Sequence, residues 1–248
     1  MGEGSDKPAG EPAGERLQKL LAAAGLGSRR QIEQWIRDGR LQVNGQVAEL
    51  GVRATPADAV TLDGQPVQLA ARGAREVLIY HKPAGEVTTR HDPTGRPTVF
   101  DTLPAPASGR WVVIGRLDFN TTGLLLFTND GELAHRLMHP SSEVQREYLV
   151  RVQGQPGPEV LARLRQGVML EDGLARFEAI EAGGTSESHA WFRVALREGR
   201  NREVRRLWSQ VGYEVSRLSR LRYGPIGLPD DLRPAQSRLL TAAELALL

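Results

Sequence analysis

The stretch Gly115-Arg116-Leu117-Asp118-Phe119-Asn120-Thr121-Thr122-Gly123-Leu124-Leu125-Leu126 sets a single carboxylate where an apolar run turns over. Trp111-Val112-Val113-Ile114 before it and Leu124 to Phe127 after it are short apolar runs bounded by turn residues, the pattern of buried strands. The polar loop between them therefore sits on a rigid frame. On residue chemistry alone Asp118, close to Arg116 and ahead of Asn-Thr-Thr-Gly, is either a turn-former or a catalytic acid. Asp and Asn are favoured in turns, and loops on rigid scaffolds carry catalysis.

Outward from this loop the chain reads as two units. Residues 1–14 are rich in Gly, Pro, Ala and acid with almost nothing to bury, and are expected to be a disordered tail. Residues 15–69 form a compact small unit. Leu17, Leu20, Leu21 and Ala24 fall at helical spacing and Gly25-Leu26-Gly27 ends that helix. Ser28 is placed to cap a second helix with Gln31 as its capping-box partner, and Ile32, Trp35 and Ile36 form the apolar face. Asn44-Gly45 between Leu41-Gln42-Val43 and Gln46-Val47 is a hairpin signal, and Asp63-Gly64 marks a second tight turn. Residues 70–75 read as a linker. From 76 to 248 the pattern mixes strands and helices without regular alternation: strands near 77–80, 148–152 and 189–196, helices near 131–138 and 156–166. That makes the chain α+β, with a mixed or antiparallel sheet.

Residues 197–222 hold eight Arg and three Glu interleaved with Leu207, Trp208, Val211, Tyr213, Leu218 and Leu221. Five net positive charges with apolar residues between them fit a basic amphipathic helix laid along RNA, or else a charged surface helix. Tyr148, in an alternating strand pattern, is either a core residue or an aromatic platform. His135 and His139, four apart, have the spacing of a zinc pair, but no third ligand is visible. Neither a phosphate-binding loop nor a dinucleotide fingerprint occurs. No cofactor and no metal are expected.

Composition bounds the function classes. The chain of 248 residues is 40% hydrophobic, enough to bury a real core, and its formal net charge is only +2. Its 29 Arg stand against 3 Lys, a bias that suits bidentate phosphate recognition and that a GC-rich genome produces as well. The absence of Cys excludes disulfides and thiolate chemistry. No apolar run approaches the roughly 20 residues of a membrane span, and no signal-peptide pattern opens the chain. A cytoplasmic protein, acting as a monomer and away from membranes, is the expectation.

Gly115-Arg116-Leu117-Asp118, the following Asn-Thr-x-Gly-Leu-Leu-Leu-Phe-Thr-Asn-Asp-Gly-Glu-Leu pattern and His139-Pro140-Ser141 resemble the signature of the RsuA/RluB family of rRNA pseudouridine synthases. The likeness runs from about 77 to 226 and is closest to the RluB type between 115 and 152. The 15–69 unit resembles the alpha-L RNA-binding module, in Ser28-Arg29-Arg30, Gly39-Arg40-Leu41 and Val43-Asn44-Gly45. The resemblance implies a catalytic domain on a large, mixed, mostly antiparallel sheet with flanking helices. It implies that Asp118 is the essential carboxylate and that Tyr148 lies against the target base. It also implies that Arg205, in the Arg-Asn-Arg-Glu-Val-Arg-Arg run, pairs with Asp118. RNA contacts are expected from Arg29, Arg30, Arg37 and Arg40 in the small module, and from Arg116, Arg202, Arg206, Arg217 and Arg220 in the large one.

The implied reaction is isomerisation of a specific uridine in large-subunit (23S) rRNA, free or in an assembly precursor. Asp118 acts either as nucleophile or as base toward a glycal. Three other readings stand beside it. A glycosidase usually needs a second carboxylate across the bond, for which Asp130 is the nearby candidate in a turn-like Asn-Asp-Gly. A non-catalytic RNA-binding or ribosome-assembly factor would keep the basic surfaces without needing Asp118. A small-subunit rRNA synthase is disfavoured by Arg146-Glu147-Tyr148.

Overall fold

The computed structural model describes residues 14–69 and 73–248. The expected disordered tail lies outside the described residues save for Gly14, as do residues 70–72 of the expected linker. The described residues divide into two units: those up to Ala74 with 106–110, and 75–105 with 111–248.

The smaller unit runs β1 (Glu15–Arg16), α1 (Leu17–Ala23), α2 (Arg29–Arg37), β2 (Leu41–Val43), β3 (Gln46–Val47), β4 (Arg53–Ala54), β5 (Val60–Leu62) and β6 (Gln65–Val67). The Ser28 side chain caps α2 by accepting from Gln31 N–H at 3.1 Å, as its sequence position requires. Asn44 and Gly45 both take positive φ, 51° and 80°, which lets β2 and β3 close through a two-residue turn. Leu17, Leu21, Ile32, Ile36 and Leu41 are buried together as its core. Residues 106–110 pack here and not with the sequence around them; a Cβ on Gly25 would stand 3.0 Å from the Gly109 carbonyl. No local sequence signal marks this return of the chain.

The larger unit begins with β7 (Val77–Lys82), β8 (Val112–Ile114), β9 (Thr122–Thr128), α3 (Gly131–Met138), β10 (Arg146–Gln153) and α4 (Pro158–Gln166). After these come β11 (Val168–Leu170), β12 (Gly173–Ala175), β13 (Ala179–Thr185), β14 (His189–Leu196), α5 (Glu203–Gln210) and β15 (Val215–Tyr223). The chain closes with β16 (Ile226–Gly227), β17 (Ser237–Leu239) and α6 (Ala242–Leu245). The main sheet has the order β13-β14-β10-β15-β9-β7-β17, with β16 beside β15 and β8 beside β9. It is antiparallel except where β15 meets β9, the junction on which the Asp118 loop is mounted.

That parallel contact depends on Gly123. Its φ is +100°, and a Cβ there would collide with the Arg220 backbone on β15. Asp130, at the expected turn, accepts from Glu132 and Leu133 N–H and so caps α3. The segment 197–222 is not one amphipathic helix. Only Glu203–Gln210 is helical; Gly212, at φ +88°, turns the chain, and from Val215 it continues as β15 in the middle of the sheet. Apolar residues in such a segment serve a strand as well as a helix, and periodicity over so short a run does not separate the two.

Candidate active site

Asp118 lies on the turn between β8 and β9, with the backbone held on both sides. Thr121 N–H donates to the Asp118 carbonyl at 3.0 Å, closing the turn. Upstream, Thr88 Oγ1 donates to the Leu117 carbonyl at 2.7 Å and accepts from Leu117 N–H at 3.3 Å. Downstream, Gly85 N–H donates to the Phe119 carbonyl at 2.9 Å. The Lys82 ammonium, wholly buried at the end of β7, donates to the carbonyls of Phe119 at 3.3 Å and Thr121 at 2.9 Å. Burial pulls the Lys82 pKa down to about 8, against the opposing pull of Glu86 and Asp118. Glu86 accepts from the Tyr80 hydroxyl through both oxygens, at 2.9 and 2.8 Å. Burial first, and then Glu86, push that phenol above its ordinary range.

The strand expected near 77–80 runs on to Lys82, whose part in the site the sequence analysis did not anticipate. The signal for it is a lone Lys ending an apolar strand, a group that has to find acceptors once buried.

The Asp118 carboxylate, one-third exposed at 33%, borders a cavity of about 350 Å³ that Arg116, Tyr148, Arg202, Glu203 and Arg220 also line. Arg202 Nη1 stands 3.5 Å from Asp118 Oδ2. Arg202 is the N-cap of α5 and takes φ 49°, a left-handed conformation uncommon for a residue with a side chain.

The expected partner, Arg205, is not the one paired. It donates instead to the Val215 carbonyl at 2.8 Å, because α5 begins at Glu203 and carries Arg205 against the start of β15. Its guanidinium is lowered by burial and by Arg202 and raised by Asp118, so it feels the carboxylate without bonding it. Tyr148 is half-buried and lines the cavity beside Asp118. Glu203, not anticipated, is buried in the same wall. Burial raises its carboxyl pKa, and Oε2 accepts from Arg200 N–H at 3.1 Å. Arg146, anticipated only as part of a motif, is buried and clamps the neighbouring loop by donating to the Arg197 carbonyl at 2.5 Å and the Glu198 carbonyl at 3.2 Å.

The expected RNA-contact residues sort unevenly. Arg29, Arg30, Arg37 and Arg40 are all exposed on the small unit, Arg40 tied to Asp63 at 2.9 and 2.5 Å. Arg116 is exposed at the cavity rim, and Arg217 is exposed on β15 but does not line the cavity. Arg206 is held bidentately by Asp172 at 2.9 Å through both nitrogens. Arg220, expected to contact RNA, is only 2% exposed and so is no surface contact, because β15 is an interior strand and not an exposed helix. His135 and His139 rings meet edge-on, and among the described residues no group of three metal-ligating side chains forms. Among them, too, no helix is long and apolar enough to cross a membrane.

Residues 76–210 match the RNA pseudouridylate synthase family, and residues 15–60 match the S4 domain. The chain belongs to the RNA pseudouridylate synthase family. It is 55% identical over 96% of its length to the ribosomal large subunit pseudouridine synthase B of Pseudomonas aeruginosa, of which it covers 62%. The protein of the same name from Xylella fastidiosa is 55% identical over 94% of this chain, which covers 50% of it. The one from Yersinia pestis is 55% identical over 88% of this chain, which covers 70% of it. The chain thus spans between half and two thirds of the length of the first two. A solved structure described as a pseudouridylate synthase superposes with a TM-score of 0.65 at 26% identity, covering 94% of this chain and 99% of that one.

Proposed function

We propose that this chain isomerises a specific uridine of large-subunit rRNA to pseudouridine, with Asp118 as the reacting carboxylate acting on a nucleotide drawn out of its stack. The observation that carries the reading is the setting of Asp118: a carboxylate on a backbone pinned from both sides, ion-paired to Arg202, at the edge of a cavity that also holds Tyr148. Family membership supports the reaction class, and the names of the relatives support the large subunit as substrate.

The reaction breaks the bond from C1′ to N1 of uracil and forms one from C1′ to C5. C5 loses a proton and N1 gains one, so no atoms are exchanged overall. A carboxylate serves either by attacking C1′ or by taking a proton from the sugar. Arg202 is placed to steady it, with Arg205 adding positive field behind. Tyr148 gives the extracted base a ring face, which offsets part of the few kcal/mol that unstacking costs. Arg116, exposed at the rim, meets the nucleotide's phosphate, and the exposed arginines of the S4 unit bind RNA phosphates of their own.

The test is to incubate the full chain with large-subunit and small-subunit rRNA made without modification and to map pseudouridine in each. New pseudouridine at one defined large-subunit position is the expected result. A protein that binds both RNAs and modifies neither would be a binding or assembly factor instead.

A further inference from the structure

The buried guanidinium of Arg220 has more bonding capacity than the protein uses. Its Nε donates to the Leu124 carbonyl at 2.8 Å, and its carbon lies 5.1 Å from the Tyr223 ring centroid. Arg146 lies 5.0 Å from the same ring centroid, so that Tyr223 is packed against two guanidinium groups. The Tyr223 hydroxyl donates to the Leu137 carbonyl at 2.9 Å and accepts from Arg146 at 3.2 Å, which immobilises the stack. Arg220 Nη2 is buried and has no hydrogen-bond partner among the described residues. A guanidinium does not discharge by losing a proton, and a buried donor left unmade costs about 1–3 kcal/mol.

Placement says what this donor should meet. Arg220 lines the same cavity as Asp118 and Tyr148, and in the β10–β15 pairing it stands opposite Tyr148, so both side chains belong to one face of the sheet. Gly115, in the same cavity wall, leaves open the space beside Arg220: a Cβ there would have stood 3.6 Å from Nη1. Arg116 and Arg202 are exposed, where a phosphate keeps its solvent, whereas Arg220 is buried, where an uncharged base costs less to place than a phosphate. A guanidinium donates and never accepts. Uracil offers it two carbonyl oxygens, whereas cytosine presents an amino donor in place of O4.

We infer that Arg220 is a base-reading residue: its guanidinium, which the fold leaves with a donor to spare, donates to uracil O4 of the extracted nucleotide and rejects cytosine at that position. The inference rests on the proposed reaction and adds to it the group that selects the base.

The experiment uses the full chain carrying Asp118→Asn, so that binding is measured without turnover. Three versions of the rRNA fragment found by mapping are compared, with uridine, cytidine or an abasic site at the target position. The parent should prefer uridine over cytidine by roughly 10- to 100-fold, the scale of one hydrogen bond to a charged donor. Adding Arg220→Met should erase that preference while leaving affinity for the abasic RNA unchanged; Arg220→Lys, which keeps a donor, should restore part of it. Both variants are checked for an unchanged melting transition.

Equal loss for all three RNAs would make Arg220 a scaffold or phosphate residue and overturn the inference. A preference retained in folded Arg220→Met would overturn it too. A parent that binds none of the RNAs strikes the proposed function itself, a different failure from a parent that prefers uridine and a variant that still does.

Discussion

At the residue scale, the role proposed for Asp118 depends on what holds it, and Lys82 is the clearest test of that. Lys82→Met leaves the Phe119 carbonyl with only the Gly85 N–H and takes the ammonium from Thr121, so the variant should lose about 1–3 kcal/mol of stability in urea unfolding. The pH dependence has a definite sign. The folded Lys82 pKa is about 8 and its ordinary value 10.5, so between those values the unfolded chain binds more protons and the native lysine's contribution rises with pH. The deficit of Lys82→Met should therefore be larger at pH 10 than at pH 7.5; an equal deficit would mean Lys82 titrates alike in both states. The ion pair gives a second prediction. Arg202→Ala should lower single-turnover rate at saturating RNA by about 10²-fold, the scale of losing one preorganised charge, and Arg205→Ala by less. The reverse order would restore Arg205 as the partner. Asp118 itself was legible from its motif; its true neighbour was not, because which of several arginines in a short run reaches a carboxylate depends on where the helix starts.

At the element scale, the junction of β15 with β9 mounts the Asp118 loop, and one glycine permits it. Gly123→Ala places a Cβ against the Arg220 backbone at a positive φ, so it should cost about 2–4 kcal/mol by denaturant unfolding. A neutral substitution would mean the two strands have room to part. Helices and hairpins with local signals were readable in the sequence: the Ser28 cap, the Asn44-Gly45 turn, the strands on either side of Asp118. The basic segment defeats a local reading as one helix because its strand half is a central strand, buried by neighbours far away in sequence. The buried position of Arg220 follows from that same long-range pairing and had no local signal.

At the scale of the whole molecule, the S4 unit supplies exposed arginines and the larger unit supplies the cavity, so binding and chemistry should separate. Replacing Arg29, Arg30 and Arg37 together with Ala should weaken rRNA binding and reduce the slope of log affinity against log salt by roughly one for each phosphate no longer neutralised. Turnover at saturating RNA should stay near that of the parent; a collapse would mean the two units do not divide the work. Composition and turn signals divide the sequence at 15–69 and 76–248; the grouping of 106–110 with the residues up to Ala74 has no such signal, since it is fixed by close backbone packing. If a single carboxylate carries the reaction, Asp118→Asn, which keeps the side chain's shape and removes its charge, should abolish single-turnover formation of pseudouridine at the mapped large-subunit position while affinity for the same RNA is retained; pseudouridine formed at a near-parental rate would take the reaction away from Asp118.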